Sequence, residues 1–111
     1  MGHILVTGSS RGIGRAALDA LAARGAKVIG HASSPQAAHD TGVPIIAADF
    51  GDPLSVQTLW DQALEIAGGE IDAVVNNAGR FEANRLDRSD IEWLDAWEDT
   101  LRVNLTSAAQ L

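Results

Sequence analysis

The sequence predicts an α/β fold, an open parallel sheet doubly wound with helices on both faces. Short apolar runs of strand length alternate with segments of helical period along the whole chain. The first run ends in a glycine-rich turn at residues 7–14 that opens a helix, and the later runs also end in polar or glycine-containing loops. Such alternation builds βαβ units with right-handed crossovers. The expected strand order is 3-2-1-4, which collects the loops at the C-terminal strand ends around the reversal between strands 1 and 4, where ligands bind in such sheets.

Ile4, Leu5 and Val6 mark the first strand. In the turn, Gly12, Gly14 and Ala17 fit the G-x-G-x-x-G/A pattern of Rossmann-type dinucleotide sites, with Gly8 as a further turn residue. A P-loop would end in Gly-Lys-Ser/Thr, whereas this chain has Gly14-Arg15-Ala16. A helix N-terminus carries unpaired N–H groups and a partial positive charge, and glycines let a pyrophosphate approach both. Gly8, Ser10, Arg11, Gly12, Ile13 and Gly14 are therefore the candidate phosphate-binding residues.

Ile13, Ala16, Ala17, Ala20 and Leu21 recur at helical spacing and Gly25 stands as a C-terminal cap, which predicts a helix over 12–24 with a small face for close packing on the sheet. Residues 27–31 form the second strand, and Ser34-Pro35 starts a short helix that Thr41-Gly42 ends. Residues 43–48 form the third strand. Asp52-Pro53 repeats the cap-plus-proline start, and Leu54, Val56, Leu59, Trp60, Ala63, Leu64 and Ala67 mark a longer helix stopped by Gly68-Gly69. A fourth strand covers 71–75, a turn 76–79 and a charged loop 80–88. Ser89-Asp90-Ile91-Glu92 has capping-box form and opens a last helical region with Ile91, Leu94, Trp97, Leu101 and Leu105 expected inward.

The 111 residues make one domain at most, spanning 1–111. Eight Lys and Arg against fifteen Asp and Glu, a net charge of -7, argue against nucleic acid or an anionic membrane as partner. The absence of cysteine excludes disulfides and thiolate metal sites and agrees with a cytoplasmic location. His3, His31 and His39 are scattered over different elements, so no metal site is expected. No apolar run approaches the roughly 20 residues of a membrane span.

Residues 7–14, Asp49 after strand 3, Asn76-Asn77-Ala78-Gly79 after strand 4, and Trp97 with Val103-Asn104-Leu105 together resemble the short-chain dehydrogenase/reductase family, end to end. Residues 7–13 and 21–30 look most like bacterial 3-oxoacyl-[acyl-carrier-protein] reductases. The resemblance implies an NADP(H)- or NAD(H)-dependent carbonyl reductase or alcohol dehydrogenase with catalytic Ser, Tyr-x-x-x-Lys and Asn. Only the Asn position, Asn104, is present, and the chain has no tyrosine. The expectation is the N-terminal part of such an enzyme, with later strands missing, inactive alone and poorly stable by itself, strand 4 having an unpaired edge. The alternative is a non-catalytic nucleotide-binding or interaction module derived from one.

An acidic residue at the end of strand 2 would select NAD(H) by accepting bonds from the ribose 2′-hydroxyl, but His31-Ala32-Ser33-Ser34 holds none. Ser33 and Arg11 suit a 2′-phosphate instead, so NADP(H) is preferred. By resemblance Asp49 contacts adenine, with Phe50 lining its pocket, and Asn77, Ala78 and Gly79 run along the ribose, while Asn76 is expected to tie strand 4 to its neighbours. Asparagine is disfavoured inside a helix, because its amide competes for backbone bonds. At Asn104 the resemblance implies a locally opened helix and a water in a proton relay. Trp60, Trp93 and Trp97 read as packing residues, and Asp87, Asp90, Asp95 and Asp99 as a solvated face. The last helix would build a homodimer or homotetramer, as in the family.

Overall fold

A computed structural model describes residues 2–38 and 42–111. In chain order it contains β1 (His3–Val6), α1 (Gly12–Ala23), β2 (Lys27–Ala32), β3 (Ile45–Ala47), α2 (Pro53–Ile66), β4 (Ala73–Val75) and α3 (Asp90–Leu101). A π-helical turn, Arg102–Thr106, joins α3 to a final α4, Ser107–Gln110. Among the described residues the strands form one parallel sheet in the expected order β3-β2-β1-β4. In register, Leu5 lies between Ile29 and Val74, and Gly30 lies beside Ile45.

Because successive strand residues point to opposite faces, the apolar runs feed two layers. Leu5, Ile29 and Ile46 face Val56, Leu59 and Ala63 of α2, joined by Phe50 and by half-buried Trp60, Val103 and Leu111. Val6 and Val28 face Leu18 of α1, flanked by Leu21 and Ala22. Gly30 sits where β2 is most crowded: a Cβ there would overlap Ile45 Cδ1 and Ser9 Oγ.

The punctuation residues act as expected at most ends. Asp52 accepts from the Leu54 amide at 3.0 Å to start α2, with Pro53 at its first position. Ser89 and Glu92 form a reciprocal capping box at α3. Gly25, Gly68 and Gly69 end their helices at positive φ, where a side chain would be strained.

Other expectations are corrected. Ser34 does accept from the Ala37 amide, at 3.3 Å, but residues 35–37 close only a turn, because no run of amides continues it among the described residues. His39 and Thr41 lie outside the described residues. The third strand begins at Ile45 rather than residue 43, since Pro44 has no N–H to give the ladder, although its carbonyl accepts from Gly30. The fourth strand is shortened to Ala73–Val75.

The last helix turns the other way round. Ile91, Leu94, Trp97, Leu101 and Leu105 are exposed, Ile91 by 74% and Leu105 by 64%, while Ala96 and Ser107 are buried and Val103 and Leu111 meet the core. Small residues let this helix approach the α2 layer, and the π turn adds a residue to the repeat, so one 3.6-residue stripe cannot describe both halves. Trp97 stacks on Trp93 at 5.5 Å and is about half exposed, so it packs locally rather than in the core.

Candidate functional site

The loops after β1, β2, β3 and β4 border one cleft of about 600 Å³ at the C-terminal edge of the sheet. From the first loop come Gly8, Ser10, Arg11 and Gly12; Ser33 follows β2, Asp49 and Phe50 follow β3, and Asn77, Ala78 and Gly79 follow β4. Ten of the residues singled out from the sequence thus meet at one place.

The first loop is shaped for an anion. Gly8 and Gly12 have φ near +60° (63 and 60), a conformation that side chains resist. Arg11 is the N-cap of α1 but makes no side-chain capping bond, so the first-turn amides of Gly12, Ile13 and Gly14, which have no carbonyl one turn earlier, are left for a ligand. The Ile13 side chain is 82% exposed, which leaves its amide as its contribution. Gly14 is buried beneath the turn: a Cβ there would overlap the Gly8 carbonyl oxygen and Asn77 Nδ2. That absence of a side chain brings the helix N-terminus against the loops after β1 and β4.

A hydrogen-bonded lock joins the first and last of these loops. Thr7 Oγ1 accepts from the amides of Asn77 at 3.1 Å and Ala78 at 3.0 Å, and Asn77 Nδ2 donates to the carbonyls of Thr7 at 3.1 Å and Gly8 at 3.0 Å. The tie expected of Asn76 is therefore made by Asn77, while Asn76 is exposed. At the end of a strand adjacent side chains face opposite ways, so only one of the two amides reaches Thr7 and Gly8.

Asp49 accepts from the Gly51 amide at 2.8 Å and so shapes the turn into α2, with its exposed carboxylate on the cleft rim. Phe50 is buried and stacks on His31, ring centroids 4.2 Å apart and 6° from parallel. Asn104 lies in the π turn, off the cleft lining. Its Oδ1 accepts from the Arg80 amide at 2.6 Å and its Nδ2 donates to the Arg80 carbonyl at 2.8 Å, fastening the loop after β4 to the opened helix. Both amide atoms therefore hold backbone here, which accounts for an asparagine in a helix.

Residues given no binding role from the sequence also line the cleft, among them Arg80, Phe81, Val103 and His31. Arg80 pairs with Asp99 and Glu82, so Asp99 is part of an ion-pair cluster rather than only a solvated face. The visible signal for His31 was a titratable ring at the end of an apolar strand beside the glycine turn. It is 2% exposed, and burial lowers its pKa from the ordinary 6.5 against an opposing bond to the Ala48 carbonyl. A second hollow of about 400 Å³, lined by Glu82, Arg88, Glu92, Asp95, Ala96 and Asp99, lies away from the strand ends. Among the described residues no group of side chains is arranged to hold a metal ion, and no helix is long and apolar enough to cross a membrane.

Comparison with known proteins agrees with this architecture. Residues 2–111 match the short chain dehydrogenase family. The 3-oxoacyl-[acyl-carrier-protein] reductase FabG of Escherichia coli is 42% identical over 113 aligned residues, a match that covers 96% of this chain and 45% of that protein. Among solved structures, a short chain dehydrogenase from Burkholderia cenocepacia in complex with NADP is 36% identical, with a TM-score of 0.79 over 98% of this chain and 47% of that one. RhlG from Pseudomonas aeruginosa, in an NADP active-site complex, is 29% identical with a TM-score of 0.83, over 98% and 44% of the respective chains. The chain thus spans less than half the length of these relatives, a partial version of their Rossmann fold. The match over residues 2–111 makes the chain a member of the short-chain dehydrogenase/reductase family.

Proposed function

We propose that residues 1–111 are the cofactor-binding part of an NADP(H)-dependent oxidoreductase that interconverts a carbonyl and an alcohol, with a 3-oxoacyl thioester as the substrate class. The observation that carries this reading is the convergence of loops from all strands of the described sheet on one cleft, beside a helix N-terminus with open amides. The residues fit a dinucleotide. The first-turn amides and Gly8, Ser10, Arg11 and Gly12 would hold the diphosphate, Asp49 and Phe50 the adenine, and Asn77, Ala78 and Gly79 the ribose of the nicotinamide half. Bound there, the nicotinamide would supply or accept hydride.

The choice of NADP(H) rests on Ser33 and Arg11. Both line the cleft and both are exposed, and no carboxylate follows β2 to repel a 2′-phosphate. The complexes of the Burkholderia and Pseudomonas proteins with NADP support it. Asn104, fastened to Arg80, is assigned to position the proton relay, while the Ser and Tyr-x-x-x-Lys of the family would fall in the remainder of the relatives' length. The exposed apolar side chains of α3 support assembly into a homodimer or homotetramer, and the cysteine-free composition supports a cytoplasmic location.

Fluorescence titration of the complete protein with NADPH and NADH tests the reading. Tighter binding of NADPH is expected, and Ser33→Asp should reverse the order by placing a carboxylate beside the 2′-position. Tighter binding of NADH by the unaltered protein would refute the cofactor assignment, and no binding of either would refute the dinucleotide site.

A further inference from the structure

His31 is buried at the end of β2, yet every polar atom it carries is directed at the first loop or at its neighbour. Its amide donates to Ser9 Oγ at 3.0 Å, and its carbonyl accepts from the Ser9 amide at 2.8 Å. In the ring, Nδ1 faces the Gly8 amide at 3.0 Å and Nε2 faces the Ala48 carbonyl at 2.8 Å. These partners leave one protonation state. The Gly8 N–H can only donate, so Nδ1 carries a lone pair; the Ala48 carbonyl can only accept, so Nε2 carries the proton. Phe50 stacked on the ring prevents it from swinging aside.

The Gly8 amide belongs to the residue whose φ of +63° turns the chain out of β1, and a Cβ there would meet the backbone of Ala78. The Thr7–Gly8 peptide is therefore held at its N–H by His31 and at its carbonyl by Asn77. A second proton on the ring, itself only 2% exposed, would set two donors against each other at Gly8. The charged groups around the ring do not offset this. Arg11 of the first loop, Asp49 after β3 and Arg80 after β4 line the same cleft, but the Asp49 carboxylate bonds Gly51 and Arg80 pairs with Asp99 and Glu82.

We propose that His31 is a positioning residue for the phosphate-binding turn, acting through the Gly8 amide, so that a proton on its ring loosens the turn and weakens dinucleotide binding. This rests on the dinucleotide reading above for its ligand, but not for its loop. Burial already disfavours the charged ring, which places the transition below pH 6.5.

The test uses the complete protein, unaltered and as His31→Asn and His31→Leu. Asparagine keeps an acceptor on Cγ, where Nδ1 stands, but does not titrate; leucine removes the acceptor. Nitrogen NMR from pH 8 to pH 5 follows the His31 ring and the Gly8 amide, and calorimetry measures NADH and NADPH affinity over the same range. The expected results are an unprotonated Nδ1 at pH 8, a Gly8 amide whose shift and exchange change with the ring's titration, and an affinity loss in step with it. Affinity should fall about 10-fold across that step, the scale of stranding one buried donor, and by a similar factor in His31→Leu at pH 8. In His31→Asn the step should vanish, leaving only any change due to titration of the 2′-phosphate, which NADH lacks. A Gly8 amide indifferent to the ring, or the same pH profile in His31→Asn as in the unaltered protein, overturns the proposal. Failure to bind either nucleotide at pH 8 while Gly8 and His31 titrate together overturns the dinucleotide reading instead, and leaves the loop coupling established.

Discussion

Replacing Asn77 by Asp changes one NH₂ group to an oxygen and almost nothing else in size, so it isolates the lock between the first and last loops. In the native arrangement Nδ2 donates to the Thr7 and Gly8 carbonyls at 3.1 and 3.0 Å. An ionised carboxylate in that place would set an acceptor against both carbonyls. Two lost bonds at about 1 kcal/mol each, plus about 1 kcal/mol for a carbonyl left without a donor, sum to about 3 kcal/mol. That is a large share of the roughly 5–15 kcal/mol available to a domain. Urea unfolding at pH 8 should show the loss as a lower midpoint at unchanged slope. The deficit should shrink at low pH, where a protonated carboxyl can again donate to one carbonyl. A loss below about 0.5 kcal/mol, the range of surface substitutions, would refute the lock as an energetic element.

Gly14→Ala should push α1 away from the Gly8 carbonyl and Asn77, costing about 1–3 kcal/mol, and should weaken dinucleotide affinity measured by fluorescence. Asp52→Ala removes the cap of the Leu54 amide and should lower stability by about 1 kcal/mol in thermal unfolding, without altering nucleotide binding. Stability should also depend on pH through His31, whose folded pKa is lowered from 6.5. Its contribution is complete above that value; as pH falls, the unfolded chain takes up the proton first, so stability declines by up to about 1.4 kcal/mol per pH unit until the folded ring is also protonated. Denaturation midpoints measured against pH should lose this slope in His31→Asn.

Local chemistry made much of the fold and site legible in the sequence by itself. The sheet order followed from alternating apolar runs, the starts of α2 and α3 from Asp52-Pro53 and from Ser89 with Glu92, and the cleft from loops that parallel topology sends to one edge. These features depend on residues near one another in the chain. What faces what across the molecule was decided only by the tertiary structure. The sequence shows that the last helical region has an apolar stripe but not which side turns inward, and here Ala96 of α3 and Ser107 of α4 are buried while Ile91 and, in the π turn, Leu105 remain exposed. Nor does it distinguish Asn76 from Asn77, since one residue of phase in β4 determines which amide reaches Thr7 and Gly8. His31 is the clearest case. Twenty-three residues separate it from Gly8, and only the pairing of β1 with β2 brings its lone pair to that amide and thereby settles which nitrogen holds the proton.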